Sequence, residues 1–162
     1  MLHHKYSHDS HDQTQCEECK LYMQNFGALL AIEIAPPTPL VELLTRENKT
    51  VPPTKTGYGL IDTGASVTTL HEQYVKDLGV KTVGANKMST PDGGVVEHNT
   101  YPVRLKVPSH DIDIELPEII SSNLENFLTP DNEPIIGLIG RDFLSFCVLV
   151  YNGELGMYTL AT

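Results

Sequence analysis

Two segments constrain this chain more than any others. Leu60-Ile61-Asp62-Thr63-Gly64-Ala65-Ser66 brings an apolar run to a stop at one carboxylate, set in a turn of small residues. Ile135-Ile136-Gly137-Leu138-Ile139-Gly140-Arg141-Asp142 is an apolar run with two glycines, long enough to lie beneath that turn. The stretch 135–139 has no polar alternation, so it reads as a strand buried on both faces. A carboxylate held against apolar surroundings is a candidate for acid–base chemistry, because its ionisation is set by what sits beside it. Only one Asp-Thr-Gly occurs in the chain. Chemistry that needs two such carboxylates therefore needs a second copy of the chain.

The length, 162 residues, suits one domain with a real core. From Phe26 onward, short apolar or alternating runs are punctuated by Pro and Gly, which predicts an all-β domain over 26–162. Strands are expected at 27–35, 40–45, 57–61, 67–70, 83–89, 95–107, 111–116 and 135–139. The stretch 46–56 reads as a long loop, and 123–132 as an irregular one. Residues 71–78 read as a helical turn closed by Gly79, and 142–146 as a short helix. Thr90-Pro91-Asp92-Gly93-Gly94 is strong turn chemistry and joins two arms into a hairpin. A terminal hairpin is expected from 148–151 and 155–160 around Asn152-Gly153. Residues 1–25 differ from the rest: they are polar, show no apolar period and carry four of the seven His. They read as a tail, flexible or ordered only by a partner, within which 17–25 can form a short helix.

Composition excludes several function classes. Formal net charge is −10 and no basic run occurs, which argues against a nucleic-acid partner. No membrane span is expected, since the best apolar stretch, 26–35, is short and carries Glu33. The opening Met-Leu-His-His-Lys-Tyr-Ser-His has no apolar core of a secretory signal, so a cytoplasmic protein is expected. Three cysteines, an odd number, do not suggest a disulfide framework. Cys16-Glu17-Glu18-Cys19, after His8 and His11, has donors at spacings that can hold zinc. It lacks turn glycines and an apolar residue to pack on a metal loop, so neither metal nor cofactor is expected. Cys147 reads as a buried strand residue, and His71, His98 and His110 as isolated surface residues. No His-Glu-x-x-His or Gly-x-Ser-x-Gly is present.

The turn at Asp62 has a chemical logic of its own. Thr63 carries a hydroxyl that can hydrogen-bond backbone across an interface. Gly64 has no Cβ, so two backbones can approach closely there. Ala65 and Ser66 keep the turn small. Two such turns face to face would bring two carboxylates within hydrogen-bond distance, and like charges that close share one proton. The ionised member can then take a proton from a bound water while the protonated member donates to a peptide carbonyl.

Asp62-Thr63-Gly64-Ala65-Ser66, preceded by Leu60-Ile61, resembles the catalytic motif of the retropepsin-like aspartic proteases. Ile139-Gly140-Arg141-Asp142-Phe143-Leu144 is similar to that family's second motif, which opens a short helix. Between them the family has a glycine-tipped flap, and Met88, Asp92, Gly93, Gly94, Val95 and Val96 match its place and composition. The resemblance covers 26–162. It implies a closed all-β acid-protease barrel, one lobe per chain, with a short C-terminal helix, acting as a homodimer on extended polypeptides. It implies that Thr63 crosslinks the two active-site loops and that Gly137 and Ile139 lie beneath them. Arg141 would tie the short helix to its neighbours. Retroviral members often carry Asp where this chain has Ser66, so Asp142 or a backbone group would have to serve as partner for Arg141. Bacterial and cellular members with Ser there resemble this chain better. Two other readings use the same fold: a catalytically silent dimerisation or peptide-binding module, and a latent precursor whose N-terminal tail must be removed.

Overall fold

The computed structural model of the chain describes residues 2–5, 17–89 and 94–162. Its elements run β1 (Leu2–Lys5), α1 (Glu17–Phe26), β2 (Leu29–Ala35), α2 (Thr38–Arg46), β3 (Lys55–Ile61), β4 (Thr69–His71), α3 (Glu72–Asp77) and β5 (Gly84–Ser89). They continue with β6 (Val95–Val107), β7 (Ile112–Ser122), β8 (Ile135–Ile139), α4 (Arg141–Leu144), β9 (Val148–Asn152) and β10 (Met157–Ala161). Strands β2, β3, β8, β4, β7 and β6 pair in that order, and β2 also pairs with β6, so the sheet closes into a barrel. The fold is the all-β closed barrel that the sequence predicts. Strand β5 extends the sheet beyond β6. A second sheet has the order β1-β10-β9.

Alternation along the strands builds the core. Leu30, Ile32 and Ile34 of β2 and Val103, Leu105 and Val107 of β6 point inward at every second position. They meet Ile136 and Ile139 of β8 and Phe143 of α4 in one buried cluster. Strand β8 is buried along almost its whole length, with Leu138 alone partly exposed. A smaller cluster joins Met23 of α1 to Ala28 and to Tyr158 of β10, with Ile61 and Leu149 against it. Among the described residues no helix is long and apolar enough to cross a membrane.

Several local expectations change. Residues 40–45, expected as a strand, lie in helix α2. Leu40, Val41 and Leu44 are the half-buried positions while Glu42 is exposed, a helical rather than an alternating pattern. Pro39 suits a first helical turn, and Thr38 donates both its backbone N–H and its hydroxyl to Glu115 of β7. Strand β7 runs on to Ser122, past Pro117, because the β6–β7 register shifts between Tyr101 and Val103 and takes up the prolines in a bulge. His71 is buried rather than at the surface. Its Nδ1 accepts from the Gln73 N–H at 3.1 Å and caps α3, and its ring lies edge-on to Tyr74. The β9–β10 loop spans 153–156, wider than a two-residue Asn-Gly turn, because the Asn152 side chain accepts from the Leu155 N–H at 3.1 Å.

The segment read as a tail contributes β1, paired antiparallel with β10, and the helix α1. Cys19 in α1 is disulfide-bonded, which an odd cysteine count did not suggest, and Cys147 is free. Cys16, His8 and His11 lie outside the described residues. The first turn of α1 packs backbone to backbone on the β9–β10 loop at Gly156, which has φ +58°. A Cβ at Gly156 would sit 2.3 Å from the carbonyl carbon of Cys19 and 2.5 Å from the Lys20 nitrogen. Gly156→Ala should therefore destabilise the protein by about 1–2 kcal/mol from backbone strain alone, and by more once α1 is pushed away. A urea titration followed by circular dichroism checks this, and an unchanged midpoint would contradict the packing.

Candidate active site

The site is built by one strand passing beneath a loop. Strand β8 lies between β3 and β4, parallel to the first and antiparallel to the second. Those two strands are the ones that lead into and out of the loop 62–68. The Asp62 N–H donates to the carbonyl of Ile139, the last residue of β8, at 3.0 Å. That bond continues the β3–β8 ladder by one residue and places the aspartate where the strand gives out.

Within the loop, the carboxylate organises its own turn. Asp62 Oδ1 accepts from the Gly64 N–H at 2.9 Å and from the Ala65 N–H at 3.2 Å. Two backbone donors on one carboxylate oxygen fix the side chain's direction. Asp62 itself is half-buried, whereas Thr63, Gly64 and Ser66 form an exposed rim.

The segment after β8 locks the loop from behind. The Arg141 and Asp142 N–H groups donate to the carbonyls of Ala65 and Ser66, at 3.0 and 3.2 Å. The Arg141 guanidinium reaches the carbonyls of Thr63 and Gly64, at 2.7 and 2.9 Å. A single nitrogen, Nη1, thus holds two successive carbonyls of the loop. The partner of Arg141 is the loop backbone, while Asp142 turns the other way. The Asp142 carboxylate accepts from the Thr68 N–H at 2.9 Å, from the Thr68 hydroxyl at 2.7 Å and from the Phe143 N–H at 2.9 Å. Thr68 Oγ1 in turn accepts from the Gly140 N–H at 3.1 Å.

Close approach to backbone makes Gly140 obligatory, and Gly137 leaves room for a leucine side chain. A Cβ on Gly140 would lie 2.7 Å from the Val67 carbonyl carbon and 2.8 Å from the Thr68 nitrogen. A Cβ on Gly137 would lie 2.7 Å from Leu70 Cδ2. Ile139 fills the space left by Gly59, where a Cβ would meet its Cγ1 at 2.7 Å.

The structure thus brings Asp62, Thr63, Gly64, Ala65 and Ser66 together with Ile139, Gly140, Arg141 and Asp142. Gly137 lies further back along β8, against β4. The hairpin β5–β6 pairs Met88 with Val96 and Ser89 with Val95. Val95 and Val96 are exposed on it, and Gly94 precedes β6. Asp92 and Gly93 lie outside the described residues. Sequence reasoning missed Thr68, which is fully buried and joins Gly140 to Asp142. The available signal was a hydroxyl residue next to apolar β4, at a position that had to be buried. Also missed was Met23, whose cluster backs Ile61, the residue before Asp62.

The family described as aspartyl protease matches residues 55–143, more than half of the chain. That stretch holds the Asp62 loop, β8 and the start of α4, and the chain belongs to this retropepsin-like aspartyl protease family. Among curated proteins none matches the chain.

The Thr68 bridge is testable by itself. Thr68→Val keeps the shape but leaves the buried Gly140 N–H without its acceptor and removes one of the two donors on Asp142 Oδ1, so it should cost about 2 kcal/mol. Thr68→Ser should cost much less. Thermal unfolding of both variants beside the parent checks this, and equal effects would mean that the hydroxyl is not the source of the stability.

Proposed function

We propose that the chain is an aspartic endopeptidase whose active site forms between two copies, each contributing Asp62. The observation that carries the reading is the loop itself. In a chain of the aspartyl protease family, a single carboxylate stands at the mouth of a closed barrel, aimed by two backbone donors and by Ile139. One carboxylate cannot be base and acid in the same step. A second Asp62 across the exposed rim of Thr63 and Gly64 supplies the missing group.

The pair then works as one unit. A shared proton leaves one carboxylate ionised and the other protonated. The ionised member takes a proton from water as its oxygen attacks the peptide carbonyl, and the protonated member donates to the carbonyl oxygen. The proton on the first carboxylate then passes to the leaving nitrogen as the C–N bond breaks, and a hydroxyl of the diol returns its proton to the second carboxylate, which restores the shared proton. No covalent enzyme intermediate forms. The Arg141 guanidinium and the Thr68–Asp142 bridge keep each loop rigid, so the two carboxylates keep their separation. The substrate is an extended polypeptide, laid between the β5–β6 hairpin and the loop floor with strand-like hydrogen bonds. Exposed Val148 and Val150 on β9, at the edge of the terminal sheet, support association of two chains there.

Asp62→Asn tests both halves of the reading. The variant should lose cleavage of a diverse peptide mixture by about a thousandfold or more while its unfolding transition stays near that of the parent. Added in excess to active protein, it should also poison the activity by forming mixed dimers. Retained cleavage by the variant would refute Asp62 as the catalytic group. Loss of cleavage without poisoning would refute the two-chain site. A rate that falls both when the pair is fully protonated and when it is fully ionised is the matching pH signature.

A further inference from the structure

On the outside of the barrel, strands β2 and β3 carry a groove. Leu30, Ile32 and Ile34 of β2 face the core, so Ala31 and Glu33 face outward. The register sets Ala31 opposite Tyr58 of β3 and Glu33 opposite Thr56, so these side chains share the outer face. The loop before β8 walls one flank, where the Tyr58 N–H donates to the Pro134 carbonyl at 3.1 Å. The helical turn Pro108–His110, which follows β6, walls the other. The cavity between them measures about 500 Å³, inside the range of roughly 300–1,000 Å³ usual for small-ligand sites. Ala31 is exposed on its floor, a methyl where a longer side chain would fill the space.

The groove is chemically one-sided. Glu33 and Glu133 both line it, and among the described residues no lysine or arginine does. The Tyr58 hydroxyl donates to the Glu133 carboxylate, and that bond, burial and the charges of Glu133 and Asp131 hold Tyr58 above its ordinary pKa. The phenol proton is thus already committed. Glu33 has no hydrogen bond or ion pair among the described residues. Lys106 stands opposite it in the β2–β6 register, but the Lys106 charge acts on Asp113 of β7. What the groove leaves open are acceptors and negative charge beside an aromatic ring. A matching ligand must combine donors with positive charge. A guanidinium does so: it is planar, has five N–H donors and no acceptor, and stacks on aromatic faces. Its methylene stem suits the apolar surface of Ala31, Pro108 and Pro134.

We propose that this groove is a docking site for an arginine side chain of a bound polypeptide, separate from the Asp62 loop. No residue of that loop lines the groove, yet Tyr58 lies on the strand that leads into Asp62. A polypeptide anchored there is held beside the loop without occupying it. The net charge of −10 draws basic segments toward the chain. That the docked polypeptide is also the substrate rests on the protease reading, and the docking itself does not.

The test titrates the full chain with a short blocked peptide that carries one arginine among glycines, followed by amide shifts in NMR. Shifts should concentrate at Ala31, Glu33, Thr56 and Tyr58, and binding should weaken as salt is raised to about 0.5 M. The double variant Glu33→Gln, Glu133→Gln should bind roughly tenfold more weakly. Glutamine keeps an acceptor for the Tyr58 hydroxyl, so the wall of the groove stays in place. The same peptide with norleucine in place of arginine should cause no shift. No shift with the arginine peptide, shifts confined to 61–66, equal binding of the norleucine peptide or equal binding by the double variant would each overturn the docking site. Cleavage gives a second readout. A peptide substrate extended by an arginine-bearing segment should show a KM several-fold lower at unchanged kcat, and the double variant should erase that difference. A chain that cleaves nothing would refute the protease reading, and the amide shifts would then decide the docking site by themselves.

Discussion

The arrangement rests on a strand passing under a loop that its own neighbours carry. Strand β8 is inserted between β3 and β4, so its end meets the turn joining them from below. Every bond that positions the carboxylate follows from that insertion: Ile139 to Asp62, Arg141 to Thr63 and Gly64, and Asp142 to Thr68. None of these pairs is local in sequence. They become available only when the barrel has closed, which ties the order of the Asp62 loop to the stability of the whole fold.

The insertion also explains the residue types. A strand buried on both faces and ending against a backbone turn has no room for side chains at its close approaches. Gly137 and Gly140 are there because a Cβ would strike Leu70 or the Val67–Thr68 peptide. Thr68 is there because its hydroxyl gives the buried Gly140 N–H its acceptor and adds a third donor to the Asp142 carboxylate. Arg141 stands at the exposed edge, where its Nη1 gathers two loop carbonyls without the desolvation that a buried guanidinium would suffer. The division of labour between Arg141 and Asp142 thus follows burial: the charge that can stay wet faces outward, and the carboxylate satisfied by three donors faces in.

Helix α1 and the terminal sheet form a second layer of support. Met23, Ala28 and Tyr158 make a small apolar cluster whose outer member, Ile61, adjoins Asp62. The N-terminal segment therefore belongs to the architecture around the site. It was illegible as such because its residues are polar and its apolar contacts, Cys19 and Met23, number too few to show a period. The helix at 38–46 was misread for a related reason. Its apolar residues satisfy both a strand and a helix pattern over six positions, and the capping partner, Glu115, lies on a distant strand.

What the sequence determined alone was the pair of motifs and the class of fold. Asp-Thr-Gly-Ala-Ser at a strand end and Ile-Gly-Arg-Asp after an apolar run have few physical uses other than a small loop held over a buried strand. Alternating runs such as 103–107 specify inward and outward faces, because the strand period is two whatever the partner. Tertiary structure decided which groups meet. The Arg141 guanidinium closes on carbonyls, which no side-chain pattern records, and Thr68 acquires its role from atoms contributed by Gly140 and Asp142. Likewise Gly156 and Cys19 meet only because two ends of the chain pack together. Side-chain chemistry is written in the order of residues, whereas backbone partners and long-range contacts exist only once the chain has closed on itself.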